Sequence, residues 1–195
     1  MPRKKPRKVK DKWRSKTWYA IYAPSYFGGR KITETIADDP SKLVGRIVET
    51  SLYELTGDLT RDYVTLRFQI NEVKEGGATT VFQGHRCARD FIRVKVRRRR
   101  SLVEEFYTVR TKDAHELRLD VVVITPRKIT ADKAKAVRRI IREVLDKKSE
   151  ELSYGELTNE IILEKLSSDL REEIRKVTPL DFIEVVRSKL IRVAG

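Results

Sequence analysis

The sequence predicts an α+β protein, in which an antiparallel, barrel-like β domain with one inserted Arg-rich helix precedes a C-terminal helical region. Two observations lead to this fold class. Between residues 17 and 127, short runs of β-branched and aromatic residues are separated by Gly, Asp and Asn, which is the pattern of strands joined by turns. After Pro126 the apolar residues recur at helical spacing instead. A chain of 195 residues is long enough for one such domain with an appendage.

The first element is a basic arm, residues 1–16. It contains nine Lys and Arg residues, one acidic residue and two prolines, and it has almost nothing to bury. The arm cannot offset its own ordering entropy, so it is either a solvated tail or a segment that folds along a phosphate backbone. The overall charge favours the second alternative. Trp13 has no local core to enter, which leaves stacking or docking on a partner open.

The β domain, residues 17–127, shows two hairpins. "YVTLRFQINEV" alternates apolar and polar residues as a half-buried strand does, and Gly76 and Gly77 supply the turn into its partner. "FYTVRTKDAHELRLDVVVI" is a second hairpin that turns between Lys112 and His115, and "VGRIVETSLYEL" adds a further strand. For Trp18, the strand context favours a core position over base stacking. We expect a meander-like sheet that curls to hide its edges.

Residues 89–104 are the hardest segment to assign. Val94 and Val96 are poor helix formers and alternate with basic residues, as in a strand. The segment nevertheless runs for 16 residues without Gly, Pro or Asn, whereas strands average about 5 to 6 residues. Length therefore favours a helix, around which the four consecutive arginines would be distributed on all sides.

The helical region, residues 128–180, begins with an amphipathic helix that has Thr130 as its N-cap. Its outer face carries a basic stripe, and two shorter helices follow before Pro179. The terminal segment, residues 181–195, is compatible with either strand or helix, and we favour a strand that rejoins the sheet. The stripe consists of Lys135, Arg138, Arg139 and Arg142.

The charge of the chain limits the classes of function that it can have. The formal net charge is +14, with a pI of about 9.9, so the chain requires an anionic partner. No window approaches the ~20 apolar residues of a membrane span, and the N-terminus lacks the apolar region of a signal peptide. The single cysteine, Cys87, excludes an internal disulfide and suits a reducing compartment. We expect a cytoplasmic protein without membrane contact.

Catalytic and metal sites are not predicted. His85, Cys87 and the distant His115 do not complete the four ligands of a tetrahedral metal site. Two aspartate pairs, at residues 38–39 and at residues 58 and 62, occur in turn-like sequence, where Asp favours the backbone geometry. We therefore expect no enzymatic activity, no metal and no cofactor.

Several separated stretches resemble one protein family. "WYAIYAPSYF", "GRIVETSLYEL", "FQGHRCARD", "TVRTKDAHELRL" and "TPLDFIEVVRSKL" are similar, in the same order, to motifs of the small-subunit ribosomal protein family S3Ae (eS1) of archaea and eukaryotes. The resemblance spans Trp18 to about Leu190. It implies a structural role on small-subunit ribosomal RNA, in the platform region near the messenger exit, beside neighbouring ribosomal proteins. It also supports a helix for the Arg-rich segment, and no homo-oligomer is expected.

Two classes of function remain at this point. The first is a structural ribosomal protein, which the resemblance favours; the second is a free-standing RNA- or DNA-binding protein, such as a chaperone or chromatin factor. In either case the candidate RNA-contacting residues are the arm, the Arg-rich segment with its approach, and two residues after the second hairpin. They are Arg3, Lys4, Lys5, Arg7, Lys8, Lys10, Lys12, Trp13, Arg14, Lys16, Arg86, Arg89, Arg93, Lys95, Arg97, Arg98, Arg99, Arg100, Arg127 and Lys128.

Overall fold

A computed structural model of the chain describes residue 13, residues 16–74 and residues 77–192. Eight strands and five α-helices occur in these ranges. The strands are β1 (Thr17–Tyr22), β2 (Lys31–Ala37), β3 (Ile47–Ser51), β4 (Val64–Lys74), β5 (Gly77–Cys87), β6 (Ser101–Arg110), β7 (Glu116–Thr125) and β8 (Phe182–Arg192). The helices are α1 (Leu52–Thr56), α2 (Arg89–Lys95), α3 (Ala131–Glu151), α4 (Tyr154–Ile162) and α5 (Lys165–Arg175).

All eight strands belong to one sheet. Its main path runs β2-β1-β5-β8-β7-β6, and β3 and β4 join it through the pairing of β4 with β5. Every pairing is antiparallel except a short parallel contact between β1 and β5. Among the described residues no ladder connects the outer strands β2, β3 and β6 to one another. The predicted antiparallel sheet is thus confirmed, but the sheet is open and the expected barrel does not close.

Strand β5 lies at the centre of the sheet and depends on Gly84. The register between β4 and β5 shifts next to this residue, and its φ of +145° is one that L-residues rarely adopt. A Cβ built on Gly84 would lie 2.1 Å from the Ser188 carbonyl oxygen of β8. The glycine therefore permits the bulge and the close approach of β8.

Three helices cover one face of the sheet. Helix α3 packs against β6, and α5 packs against both α3 and β8. Val137, Ile141 and Leu145 point from α3 into the main core and are at most 1% exposed, as the predicted amphipathic pattern requires. Helix α4 begins at a complete capping box, in which the Ser153 and Glu156 side chains each accept from the other's backbone N–H. The predicted C-terminal helical region is confirmed.

The predicted helix over residues 89–104 is wrong in its second half. Helix α2 ends at Lys95, and Val96 already has extended backbone angles. The arginines at 97–100 form a turn, closed by a hydrogen bond of 3.3 Å from the Arg100 N–H to the Arg97 carbonyl oxygen. From Ser101 the chain forms β6, which pairs with β7 over ten residues. The gain from this pairing overrides local length from Ser101 onward. Val96 is extended, as its strand preference favours, whereas Val94 lies within α2.

The ambiguous terminal segment forms β8, between β7 and β5. It runs antiparallel to β7, with bulges next to Leu117 and Val121. Within the described ranges, no helix combines the length and apolar content that crossing a membrane requires.

Candidate nucleic-acid interface

The face of the sheet opposite the helices carries a groove of about 690 Å³. It is lined mainly by β4, β5 and β8, with one residue each from β3 and β7, and it reaches the first residue of α2. The strand alternation explains its charge, because residues that alternate with core positions must point to this open face. Arg67, for example, lies between the fully buried Leu66 and Phe68. The basic residues of the groove are Arg67, Arg86, Arg89, Arg187 and Lys189.

Neighbouring strands place like charges side by side in this groove. Arg86 of β5 lies directly opposite Arg187 of β8, and Arg118 of β7 lies opposite Lys189. Like charges in opposed positions destabilise a sheet by tenths of a kcal/mol per pair. An anionic ligand on this face would remove that repulsion.

Glu49 of β3 is the acidic residue closest to two of these arginines. The Arg86 Nη2 donates to Glu49 Oε2 at 3.2 Å, and Arg67 Nε lies 3.0 Å from Oε1, in ionic contact without hydrogen-bond geometry. Both ion pairs are partly exposed and therefore weak. Phosphates can compete for Arg67 and Arg86.

His85 lies under the groove and serves the fold. Its Nε2 contacts the Val185 carbonyl oxygen at 2.8 Å, and its Nδ1 contacts the Ser188 hydroxyl at 2.7 Å. Complete burial lowers the pKa of His85 to about 4, so the ring is neutral near pH 7 and joins β5 to β8. Within the described part of the chain, no group of three or more His, Cys, Asp or Glu residues could hold a metal ion.

The Arg-rich turn is a second basic feature of the surface. Arg97, Arg98 and Arg99 are exposed, and none of them forms an ion pair with a described residue. Arg99 also has a φ of +68°, a costly conformation for a non-glycine residue. These three side chains have no role in the described fold.

Arg100, by contrast, has partners within the described fold. Its guanidinium forms an ion pair with Asp181 and donates to the Lys95 carbonyl oxygen at 3.2 Å. The Lys95 ammonium lies over the rings of Phe91 and Phe182, at 5.4 and 5.7 Å from their centroids. The four consecutive arginines are thus divided into three that have no ion-pair partner among the described residues and one, Arg100, that is paired.

The structure brings two predicted basic groups together at one end of the β6–β7 hairpin. Ser101, which follows the turn, pairs with Thr125, whose hydroxyl donates to the Arg127 carbonyl oxygen at 2.7 Å. The Ile129 N–H donates to the Ser101 hydroxyl at 3.1 Å. Arg127 and Lys128 are exposed and extend the surface of the turn.

The basic stripe of α3 is mostly neutralised. Arg142 Nε donates to Glu105 of β6 at 2.6 Å, and Arg138 Nε lies 3.7 Å from the same carboxylate. Arg139 pairs with Glu143 at 3.6 Å. Glu105 is buried, so these arginines compensate a buried charge on the helical side.

The aromatic residues near the N-terminus differ from expectation. Trp18 is 67% exposed, so the predicted core position is wrong: β1 pairs with the outer strand β2 near one end of the sheet path. Trp13 is also exposed, with the Lys16 ammonium 3.8 Å from its ring centroid. The predictions for residues 1–12 and Arg14 lie outside the described residues.

The sequence-based set omits five residues of the open face. Five residues, Arg67, Arg118, Arg187, Lys189 and Phe106, lie on four strands, and each of them stands next to at least one buried residue in the strand alternation. The pattern predicts that each points to solvent. Only the strand order shows that they share one surface, because β8 inserts between β5 and β7.

Comparison with known proteins shows the family of the chain. Residues 4–194 match the profile of the Ribosomal S3Ae family. The chain is similar to the protein named small ribosomal subunit protein eS1 from Desulfurococcus amylolyticus, with 43% identity over 94% of this chain and 86% of the relative. The relatives of the same name from Staphylothermus marinus and Methanobrevibacter smithii are 40% and 36% identical, over 99% and 95% of this chain and 91% and 96% of their own lengths. The match covers nearly the whole sequence, and the chain belongs to the Ribosomal S3Ae family.

Proposed function

We propose that the chain is a structural constituent of the small ribosomal subunit, held there by ribosomal RNA on the open face of its sheet and on the Arg-rich turn. It acts in the cytoplasm, as part of the ribosome, and not as an enzyme. Its location is the platform region near the messenger exit, with other small-subunit proteins as neighbours. The protein occurs there as a single copy.

Family membership over residues 4–194 carries this proposal, and the charges supply its physical reason. The groove gathers five basic residues from three strands and α2, while Arg97, Arg98 and Arg99 have no ion-pair partner among the described residues. Phosphate contacts supply a large share of the affinity of nucleic-acid-binding proteins and make that affinity depend on salt. The arm and Arg127 with Lys128 would extend the same basic surface.

Sedimentation of a cell extract through a sucrose gradient tests the function. At low salt the protein should migrate with small subunits, and at high salt it should be released toward the top, since ionic contacts are screened. A protein that stays at the top at low salt, away from small subunits, would contradict the ribosomal role. That result would favour the alternative of a free-standing nucleic-acid-binding protein.

A further inference from the structure

A second, smaller cavity of about 240 Å³ lies on the open face next to the groove and shares Asp120, Arg187 and Lys189 with it. It is lined by Phe106 of β6, Arg118 and Asp120 of β7, and Arg187 and Lys189 of β8. The strand register brings these side chains together, since Asp120 lies directly opposite both Phe106 and Arg187. The cavity thus combines one aromatic ring, one carboxylate and three cations on a rigid surface of three strands.

Phe106 is placed to stack on a ligand. The ring is 53% exposed, on a strand whose neighbouring core positions are buried. Arg118 lies on one side, with its guanidinium carbon 5.8 Å from the ring centroid. Exposed aromatic rings on sheet surfaces are a common way of holding unstacked RNA bases.

Asp120 is the unusual member of the cavity. Its Oδ1 is buried and accepts no hydrogen bond from the described residues, although three cations line the same cavity. A buried carboxylate oxygen without a donor destabilises the folded chain. Asp120 lines the cavity, so rotation of its carboxyl group would present both oxygens to a ligand that donates hydrogen bonds.

The pKa of Asp120 is consistent with a carboxylate that lacks hydrogen-bond donors. Burial and the neighbouring Glu104 raise the pKa of Asp120 to about 6, and Arg187 and Arg118 lower it only in part. The carboxylate is therefore mainly ionised near pH 7. Lys189 lies in the same cavity.

We propose that this cavity binds one unpaired RNA nucleotide and prefers guanine, with Phe106 stacking on the base and Asp120 accepting hydrogen bonds from its Watson–Crick edge. Guanine presents two adjacent donors there, N1–H and the N2 amino group, which match the two oxygens of a carboxylate. Adenine and cytosine present one donor beside an acceptor, and uracil presents one donor between two carbonyl oxygens. Arg187 and Lys189 would hold the adjacent phosphates. This inference rests on the proposed binding of RNA.

The direct test uses the full chain and fluorescent RNA heptamers at low salt and near-neutral pH. One probe is all uridine, one has a single central guanine, and one has a central inosine, which lacks the N2 amino group. The guanine probe should bind at least about fivefold more tightly than the uridine probe, with inosine in between. Asp120→Asn should reduce this discrimination to less than about twofold.

Phe106→Leu separates stacking from hydrogen bonding. It should weaken all three probes about fivefold or more, because the loss of one base–aromatic stack affects every base. Leu102→Ala is the matched control, since Leu102 is also exposed and lies on the same face of β6 outside the cavity. Equal binding of the guanine and uridine probes, with no effect of Phe106→Leu, would overturn the cavity and leave the proposed function standing. Failure of every probe to bind would overturn the cavity as an RNA site, whereas the proposed function is decided separately, by sedimentation with small subunits.

The nucleotide could come from ribosomal RNA or from a messenger, and modification of small subunits distinguishes them. Kethoxal reacts with N1 and N2 of unpaired guanines. A ribosomal guanine that becomes reactive only in Asp120→Asn subunits without messenger would identify ribosomal RNA as the source. A change confined to an added messenger would identify the messenger. If no guanine of either RNA changes, the cavity is not a guanine site in the particle and the proposal fails.

Discussion

Replacing Arg97, Arg98 and Arg99 by Gln should flatten the salt dependence of RNA binding without unfolding the protein. Each phosphate that a protein neutralises contributes roughly 0.7 to 0.9 to the slope of log affinity against log salt. Since these three arginines have no partner among the described residues, the slope should decrease by about 2 to 3 units. Arg100 is left in place because it pairs with Asp181.

Filter binding of purified protein to protein-free small-subunit ribosomal RNA, over a series of salt concentrations, measures the slope. The control replaces Lys135, Lys147 and Arg175 by Gln, which removes the same charge from exposed positions of α3 and α5. It should change the slope by less than about 1 unit. Arg100→Gln should instead lower the free energy of unfolding by about 1 kcal/mol, as expected for a partly buried ion pair. An unchanged slope in the triple variant, together with a lowered melting temperature, would refute the reasoning.

Three further predictions concern the free protein. Asp120→Asn should raise the free energy of unfolding. Because the pKa of Asp120 is raised to about 6, the wild-type protein loses stability as the pH rises from about 4 through 6. Partial exposure of the carboxyl group reduces this loss to about 1 kcal/mol. Urea unfolding near pH 7.5 and pH 4 should show this advantage only at the higher pH. His85 changes the pH dependence of stability in the opposite direction, because its pKa is lowered to about 4. The free energy of unfolding should therefore decrease as the pH falls below about 6.5, by about 3 kcal/mol in total. The difference in this free energy between wild type and His85→Gln, plotted against pH, should contain this slope, and a flat curve would contradict it. Gly84→Ala should destabilise by about 3 kcal/mol or more through its contact with β8, whereas Gly57→Ala, with open space at its Cβ, should cost about 1 kcal/mol in thermal unfolding.

The sequence alone predicted the correct secondary structure where a pattern of apolar residues was long and confined to one face of the element. The alternation from Val64 to Ile70 and the helical spacing of α3 both predict the correct element, because burial on one face dictates them. It was insufficient where competing patterns overlapped, as at residues 89–104. There the local length favours a helix, but the ten paired residues of β6 and β7 determine the outcome.

The composition of the sequence predicted a basic interface, but the sequence did not predict which residues lie together in it. Clustered arginines in a basic chain indicate an anionic partner, but the sequence treats Arg97 and Arg100 alike. Only the position of Asp181, 81 residues after Arg100, divides them. Arg67 and Arg187 lie near one groove for the same reason: strand order depends on long-range contacts that no local pattern encodes.

Strand β8 is the last strand in the sequence and occupies an interior position, between β5 and β7. During synthesis the β4–β5 and β6–β7 hairpins can form from local contacts, but they cannot be joined into one sheet before residues 182–192 have emerged. Until then the facing edges of β5 and β7 are unpaired, and such edges invite association with other chains. Arg187 and Lys189 arrive on this same strand. A nascent or truncated chain that lacks β8 therefore lacks both a complete sheet and two of the five basic residues of its groove, so that this part of the basic surface is assembled only when the last strand is in place.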